Sequence, residues 1–241
     1  MHVLSRLPTD GTFHQTQPLD RIVNWKAYYS SDFTAATDRM PLRVLFHVME
    51  HLFGSSFASA CVNSTLATNT FDVPFVKGNT QRRSMVSFVV GQPLGYLSSW
   101  PLFALAHHFI VWVAAEQVYP GKRFWDYALL GDDIVIADKE VARSYRSIME
   151  ELRVSISDVK SLVSTHGAEF AKRFRVKGLT VDCSPVSIKN LMGSHHPMGI
   201  TALKLMFPSL GFKTMMRFHG AGYKTLSVLF VACRRSTLGL Q

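Results

Sequence analysis

Two apolar runs, Tyr127-Ala128-Leu129-Leu130 and Ile134-Val135-Ile136-Ala137, are separated only by Gly131-Asp132-Asp133. Each run has the length of a strand, and a glycine next to an aspartate supplies the backbone that a tight hairpin turn requires. The segment therefore predicts a β-hairpin with two carboxylates at its tip. A hairpin is not stable alone, so this feature commits the chain to a larger sheet with a core packed on it.

The surrounding sequence supplies that sheet. Ala27 to Asp32 reads as a strand, and Pro41 opens a helix in which Leu42, Leu45, Met49 and Leu52 keep helical spacing until Gly54 ends it. Residues 55 to 83 are mixed and polar-rich, and Asp72-Val73-Pro74-Phe75 and Lys77-Gly78-Asn79 point to turns and one or two strands. Val86 to Val90 is a short strand-like run. It leads into a glycine-rich loop from Gly91 to Ser99, with Ser99 as helix cap and Pro101 in the first turn of a long apolar helix. Beyond the hairpin, Val141, Tyr145, Ile148 and Leu152 mark an amphipathic helix and Val154-Ser155-Ile156-Ser157 another strand. This order defines an α+β fold, an antiparallel sheet with helices on one face.

With 47% hydrophobic and 18% charged residues the chain is too apolar to be disordered, and Lys plus Arg at 26 against Asp plus Glu at 17 leaves a net charge of +9. That excess favours a polyanion, either nucleic acid or an anionic membrane surface. The basic residues are scattered instead of lying on one helix face, which argues against the membrane surface. The most apolar stretch, Leu102 to Ala115, holds His107 and His108 and is shorter than the ~20 residues of a membrane span. It reads as a buried helix. No secretory or transit signal is visible at the N-terminus, where Asp10 and Asp20 interrupt any acid-poor pattern. Cys61, Cys183 and Cys233 form no CxxC pair, so neither a disulfide framework nor a zinc site is indicated.

Asp32 closes the first strand, and antiparallel pairing with the hairpin would bring its carboxylate to Asp132. Two carboxylates that close repel, so one takes a proton or a divalent cation binds. Magnesium suits a few carboxylate oxygens together with substrate phosphates. Two such ions, ~3.5–4 Å apart, clamp the attacking and leaving oxygens of phosphoryl transfer. The alternative is a polar turn and nothing more, since Asp and Gly are favoured in turns anyway. Asp38 either complements the dipole of the helix after Pro41 or accepts a ribose hydroxyl. The loop residues Gly91, Gly95, Ser98 and Ser99 either approach a ligand or simply make a helix entry. Lys160 either protonates a departing pyrophosphate or is a solvated lysine. The histidine pairs His107-His108 and His195-His196 read as a helix face and a loop, with no metal-ligand partner at useful spacing. From Phe170 to Gly178, Lys172, Arg173, Arg175 and Lys177 interleave with Phe170 and Phe174, which suits an RNA groove or, equally, a strand with core aromatics and solvated charges.

Four pieces taken in order, Asp32 with Asp38, Gly91-Gln92-Pro93-Leu94-Gly95 with Ser98-Ser99-Trp100, Gly131-Asp132-Asp133, and Phe170-Ala171-Lys172-Arg173-Phe174, resemble palm motifs A, B, C and E of viral RNA-dependent RNA polymerases. In detail the chain is similar to mitovirus polymerases, through Phe33-Thr34-Ala35-Ala36-Thr37-Asp38-Arg39, Lys160-Ser161-Leu162-Val163-Ser164 and Pro8-Thr9-Asp10-Gly11-Thr12-Phe13. The resemblance implies a right-hand palm in which Asp32 and Asp132 hold two Mg2+ ions, with Mn2+ as a substitute, and Asp133 assists. It implies that Asp38, Gly91, Gly95, Ser98 and Ser99 bind the ribonucleotide, that Lys160 belongs to motif D, and that Lys172, Arg173 and Arg175 meet RNA. Trp100-Pro101-Leu102-Phe103 has no Asn after the motif B serines, a departure from many such enzymes that bears on sugar sensing.

The implied organisation is a pre-palm remnant over 1–26, a palm with inserted fingers elements over 27–169, and the end of the palm with a partial thumb or divergent tail over 170–241. Fingers and thumb are expected to be incomplete, as in mitovirus-like fragments inserted in plant genomes. The expected function is template-directed ribonucleotidyl transfer in mitochondria. Its partners would be RNA template and product, ribonucleoside triphosphates and a separate fingers polypeptide, with no membrane span. The alternative is a non-catalytic relic or RNA-binding fragment. A reverse transcriptase shares the palm carboxylates, but Asp38 and Gly131 favour RNA synthesis.

Overall fold

A computed structural model describes residues 2–218 apart from 23, 78, 79, 89, 94, 180, 181, 187, 194, 195, 208 and 209. Gly78 and Asn79 of the expected turn, together with Val89, Leu94 and His195, thus lie outside the described residues. The chain divides into two compact units, Met1–Thr180 and Val181–Gln241.

In the first unit a short helix α1 (Gln17–Ile22) precedes strand β1 (Tyr28–Ser31), the single turn α2 (Ala36–Arg39) and helix α3 (Leu42–Phe53). Gly54, at φ +85°, ends α3 as expected. Residues 55 to 67 are helical, as α4 (Ser55–Ala58) and a wider π-type stretch (Ser59–Ala67), where the sequence had pointed to turns. The hairpin of β2 (Thr70–Lys77) and β3 (Thr80–Ser87) follows, so the strand read at 86–90 begins earlier and ends at Ser87. Then come α5 (Ser99–Val118), β4 (Tyr127–Leu130), β5 (Asp133–Ile136), α6 (Lys139–Glu151), β6 (Leu162–Ser164), β7 (Gly167–Phe170) and β8 (Arg173–Val176).

The central sheet has the order β4-β5-β1-β6, with every neighbouring pair antiparallel. Alternation along β4 and β5 sends Tyr127, Leu129, Ile134 and Ile136 into one core, against α3, α5 and α6, and Ala128 and Val135 into another, with Leu19, Ile22, Ala168 and Phe170. Both faces are therefore covered: the large helices take one, and α1 with the β7–β8 hairpin takes the other. The large helices share one face, as expected, and the second face is covered as well. The cause is that both arms of the hairpin are apolar at every position. Each fully buried Leu, Ile or Phe contributes ~1.5–3 kcal/mol, so the two cores are enough to hold the sheet.

The strand expected at 154–157 is also corrected. Only Ile156 bridges back to Phe33, with Thr34 N donating to Ser155 O at 3.0 Å and Ser157 N to Asp32 O at 2.8 Å, and the fourth strand is β6 instead. Helix α5 is 20 residues long, enough in length and apolarity to cross a membrane, yet it packs on the sheet with Leu102, Phe103, Ile110 and Val111 buried. Helix α6 starts at Asp138, whose Oδ1 accepts from the backbone of Glu140 and Val141, both at 2.9 Å, a cap worth ~1 kcal/mol.

The second unit contains helices α7 (Ile188–Gly193), α8 (Pro197–Met206) and α9 (Phe212–Phe218) around Leu203, Phe207 and Met215. His196 directly precedes α8.

Candidate active site

The strand register assembles the acidic end of the sheet. β4 and β5 close on the two-residue turn Gly131-Asp132, since Leu130 pairs with Asp133. β1 pairs Ser31 with Ile134, so the next position, Asp32, falls opposite Asp133. Burial, and then the charges of Asp132, Asp32 and Glu169, push the Asp133 carboxyl up to about 6, while Lys160 acts in the opposite direction. Lys160 reaches Asp32, Nζ to Oδ2 at 3.1 Å. Its pKa is raised by that hydrogen bond and by the Asp32 charge, with smaller contributions from Asp132 and Asp133. Asp32, Asp132, Asp133 and Lys160 thus share one electrostatic environment. Glu169, on β7, joins them and was not singled out from sequence. Only the packing of β7 against β1, where Ser30 Oγ donates to Glu169 O at 2.9 Å, brings it there.

The glycine-rich loop docks beside this end. Gln92 N donates to Thr37 O at 2.8 Å, and a Cβ on Gly91 (φ +82°) would collide with the carbonyls of Thr37 and Asp38, so this position needs glycine. Asp38 is exposed in the first turn of α2. Gly95 stands in open space and Ser98 is exposed. Ser99 is the first residue of α5 and not its cap: its buried hydroxyl donates to Pro93 O at 2.7 Å, and Gln92 Nε2 donates to Ser99 O at 3.1 Å. Ser99 therefore shapes the loop, whereas Ser98 presents a hydroxyl to solvent.

Two further residues of α5 hold the acidic turn. Trp100 lies over Gly131 (φ +61°), where any Cβ would strike its ring. His107 Nδ1 donates to Gly131 O at 2.7 Å. Burial drives the His107 pKa down to about 3, so the imidazole is neutral. Sequence placed His107 and His108 on a helix face; the face turns out to be the buried one. Nothing in the spacing marks a histidine as a partner of a turn that lies 24 residues further on.

The chain matches the Mitovirus RNA-dependent RNA polymerase family over residues 1–217. It belongs to that family. An uncharacterized mitochondrial protein of Arabidopsis thaliana is 48% identical over 239 residues, 97% of this chain and 94% of its own length. The RNA-directed RNA polymerase of Cryphonectria parasitica mitovirus 1 is 37% identical over 178 residues, 72% of this chain and 21% of the viral protein. Among solved structures, telomerase from Candida albicans with a fragment of telomeric RNA aligns at a TM-score of 0.53 and 13% identity, over 75% of this chain and 36% of that one. Apo telomerase from Candida tropicalis aligns at 0.50 and 12%, over 74% and 40%. These likenesses show the fold, a polymerase palm of α+β class. The mitovirus-family chain spans under half the length of those telomerases and about a fifth of the viral polymerase.

In this mitovirus-family palm, Phe170-Ala171-Lys172-Arg173-Phe174 forms a hairpin whose turn residues Ala171 and Lys172 have φ of 49° and 63°. Phe170 is buried, Lys172 is exposed and Phe174 is 39% exposed. Arg175 is engaged inward, its Nε 2.8 Å from Asp20 Oδ1 and its side chain 11% exposed. Among the described residues no three His, Cys, Asp or Glu side chains lie close enough to hold a metal ion as they stand. The donor chemistry nevertheless fits a hard divalent cation: Asp32, Asp132 and Asp133 offer carboxylate oxygens whose charges oppose one another, and an ammonium already serves Asp32 as counter-ion.

Proposed function

We propose that this palm supports template-directed ribonucleotidyl transfer, with Asp32 and Asp132 as ligands of two Mg2+ ions, Mn2+ being an acceptable substitute, and Asp133 assisting. The observation that carries this reading is the register that puts Asp32 opposite Asp133 beside the Gly131-Asp132 turn. Bound there, the ions would offset charge on the triphosphate and clamp the attacking and leaving oxygens. Asp38 and Ser98 accept and donate to the ribose, while Gly91 and Gly95 let backbone approach the nucleotide and Ser99 keeps the loop folded. Lys160, held at Asp32, supplies a proton or positive charge to the departing pyrophosphate. Lys172 and Arg173 grip RNA phosphate at the hairpin turn, and Arg175 braces that hairpin through Asp20.

Phosphoryl transfer depends on positioning and on stabilising the triphosphate charge. Among the described residues the cation that bears on Asp133 is Lys160. We therefore assign the remaining grip on the triphosphate to a separate polypeptide, and place the protein in mitochondria with its relatives. A second reading, an RNA-binding relic without catalysis, is favoured by the acidic side chains at the hairpin tip, which among the described residues do not converge on one cation as they stand. Primer extension with purified protein, Mg2+, ribonucleotides and primed RNA separates the two. Template-dependent addition, weak for the chain alone, raised by a polypeptide carrying the rest of the viral polymerase and abolished by Asp132→Asn, is expected. No addition under either condition would establish the relic.

A further inference from the structure

His107 and His108 are adjacent on α5, both fully buried, and each reaches a different end of the β4–β5 hairpin. His107 Nδ1 is 2.7 Å from Gly131 O at the tip, and its Nε2 is 2.7 Å from the Tyr145 hydroxyl on α6. A carbonyl only accepts, so Nδ1 carries the proton and Nε2 accepts from Tyr145. His108 Nδ1 is 2.9 Å from the Tyr127 hydroxyl at the base of the hairpin, and its Nε2 is 3.1 Å from Asp10 Oδ2. Here the carboxylate accepts, so Nε2 carries a proton, and in the neutral imidazole Nδ1 accepts from Tyr127. Asp10 is itself fixed: its Oδ1 accepts from Thr12 N at 2.8 Å, and the backbone of Thr9 and Gly11 bonds to Leu129 of β4 at 2.9 and 2.8 Å.

We propose that His107 and His108 are positioning residues for the carboxylate turn, a pair of neighbouring imidazoles in opposite tautomers that pin the tip and the base of the hairpin and so orient Asp132. The Gly131 carbonyl and the Asp132 N–H belong to one planar peptide unit, so a bond that fixes the carbonyl fixes the plane from which the Asp132 side chain departs. The Trp100 ring packs against Gly131 as well. Losing the His107 imidazole strands two buried polar groups, the Gly131 carbonyl and the Tyr145 hydroxyl, which would turn elsewhere for partners. The proposal rests on the reading of Asp132 as a metal ligand, and its test keeps the two apart.

Nitrogen-15 NMR of labelled histidine should show two imidazoles protected from solvent, one protonated at Nδ1 and the other at Nε2. His107→Asn places an amide N–H near the Nδ1 position, whereas His107→Leu removes the donor. Measured below the melting temperature of each variant, Mn2+ binding by electron paramagnetic resonance should weaken ~10-fold or more in His107→Leu and stay within about threefold of the parent in His107→Asn. Amide exchange at residues 131–133 should rise in the leucine variant alone. The same tautomer at both histidines, or a folded His107→Leu that binds Mn2+ and protects the turn as well as His107→Asn, overturns the proposal. If the leucine variant does not fold, His107→Gln, whose amide cannot stand at Nδ1, takes its place under the same criteria. Unchanged Mn2+ binding in Asp132→Asn would refute the metal reading, and tautomers and turn exchange would still decide the role of the histidines.

Discussion

At Asp133, burial and three neighbouring carboxylates oppose ionisation, and the resulting pKa of about 6 against an ordinary 3.8 has a thermodynamic sign. The folded state holds this proton more tightly than the unfolded chain, so the stability it contributes is complete below pH ~4 and is lost as pH rises through ~6. In metal-free buffer at pH 7 to 8, Asp133→Asn should therefore be more stable than the parent by about 1–2 kcal/mol, allowing for solvent screening, and the advantage should vanish below pH ~4. Urea melts in chelator across that range check this; an asparagine variant that is less stable at every pH contradicts it. His107 has the opposite sign, because its depressed pKa lets the unfolded chain take up a proton first as pH falls below ~6.5. Comparing parent with Asp133→Asn cancels that contribution, since His107 is present in both. Of these residues, Asp32 and the Asp132-Asp133 pair were legible from their place at strand ends. Glu169 and His107 were not, because what matters about them is a partner supplied by tertiary packing.

The two hairpins around the site show what makes an element readable. β4–β5 announces itself because Gly131 takes the left-handed conformation its turn needs and apolar runs flank it. β7–β8 makes an equally tight turn with Ala171 and Lys172, both left-handed, and neither residue type signals a turn. Replacing them by Asn-Gly should relieve that conformational cost, stabilising by ~1 kcal/mol and raising the melting temperature by ~2–4 °C, which calorimetry would show. A fall in melting temperature would mean that the side chains there do more for the fold than the turn geometry costs. Strand β6 escaped the sequence because it is short and exposed at the sheet edge, with Val163 at 67% exposure, so no buried alternation marks it. At Gly91 the loop and α2 touch backbone to backbone. Gly91→Ala should cost at least ~2 kcal/mol in a urea melt, by collision and by positive φ together. A cost below ~0.5 kcal/mol would show that the loop is not docked on Asp38.

For the whole molecule, the proposed function assigns RNA to the surface that carries the net charge of +9 and the exposed Lys172 turn. The double variant Lys172→Ala/Arg173→Ala should lower the slope of log affinity against log salt for single-stranded RNA by ~1.4, about 0.7 for each phosphate no longer neutralised. An unchanged slope rejects this hairpin as the place where RNA is held. The broad architecture was readable because hairpin, helices and first strand each carry their own periodicity. How β1, the loop, α5, the segment around Lys160 and β7 converge on the hairpin tip is set by a sheet order that no local pattern encodes. That convergence is what the proposed function requires, and thermal melts with Mg2+ test it directly. Free Mg2+ at about 100 times its Kd should stabilise the parent by ~2.7 kcal/mol and leave Asp32→Asn and Asp132→Asn nearly unmoved. An equal upward shift in all three proteins would show that the two carboxylates do not share a metal site.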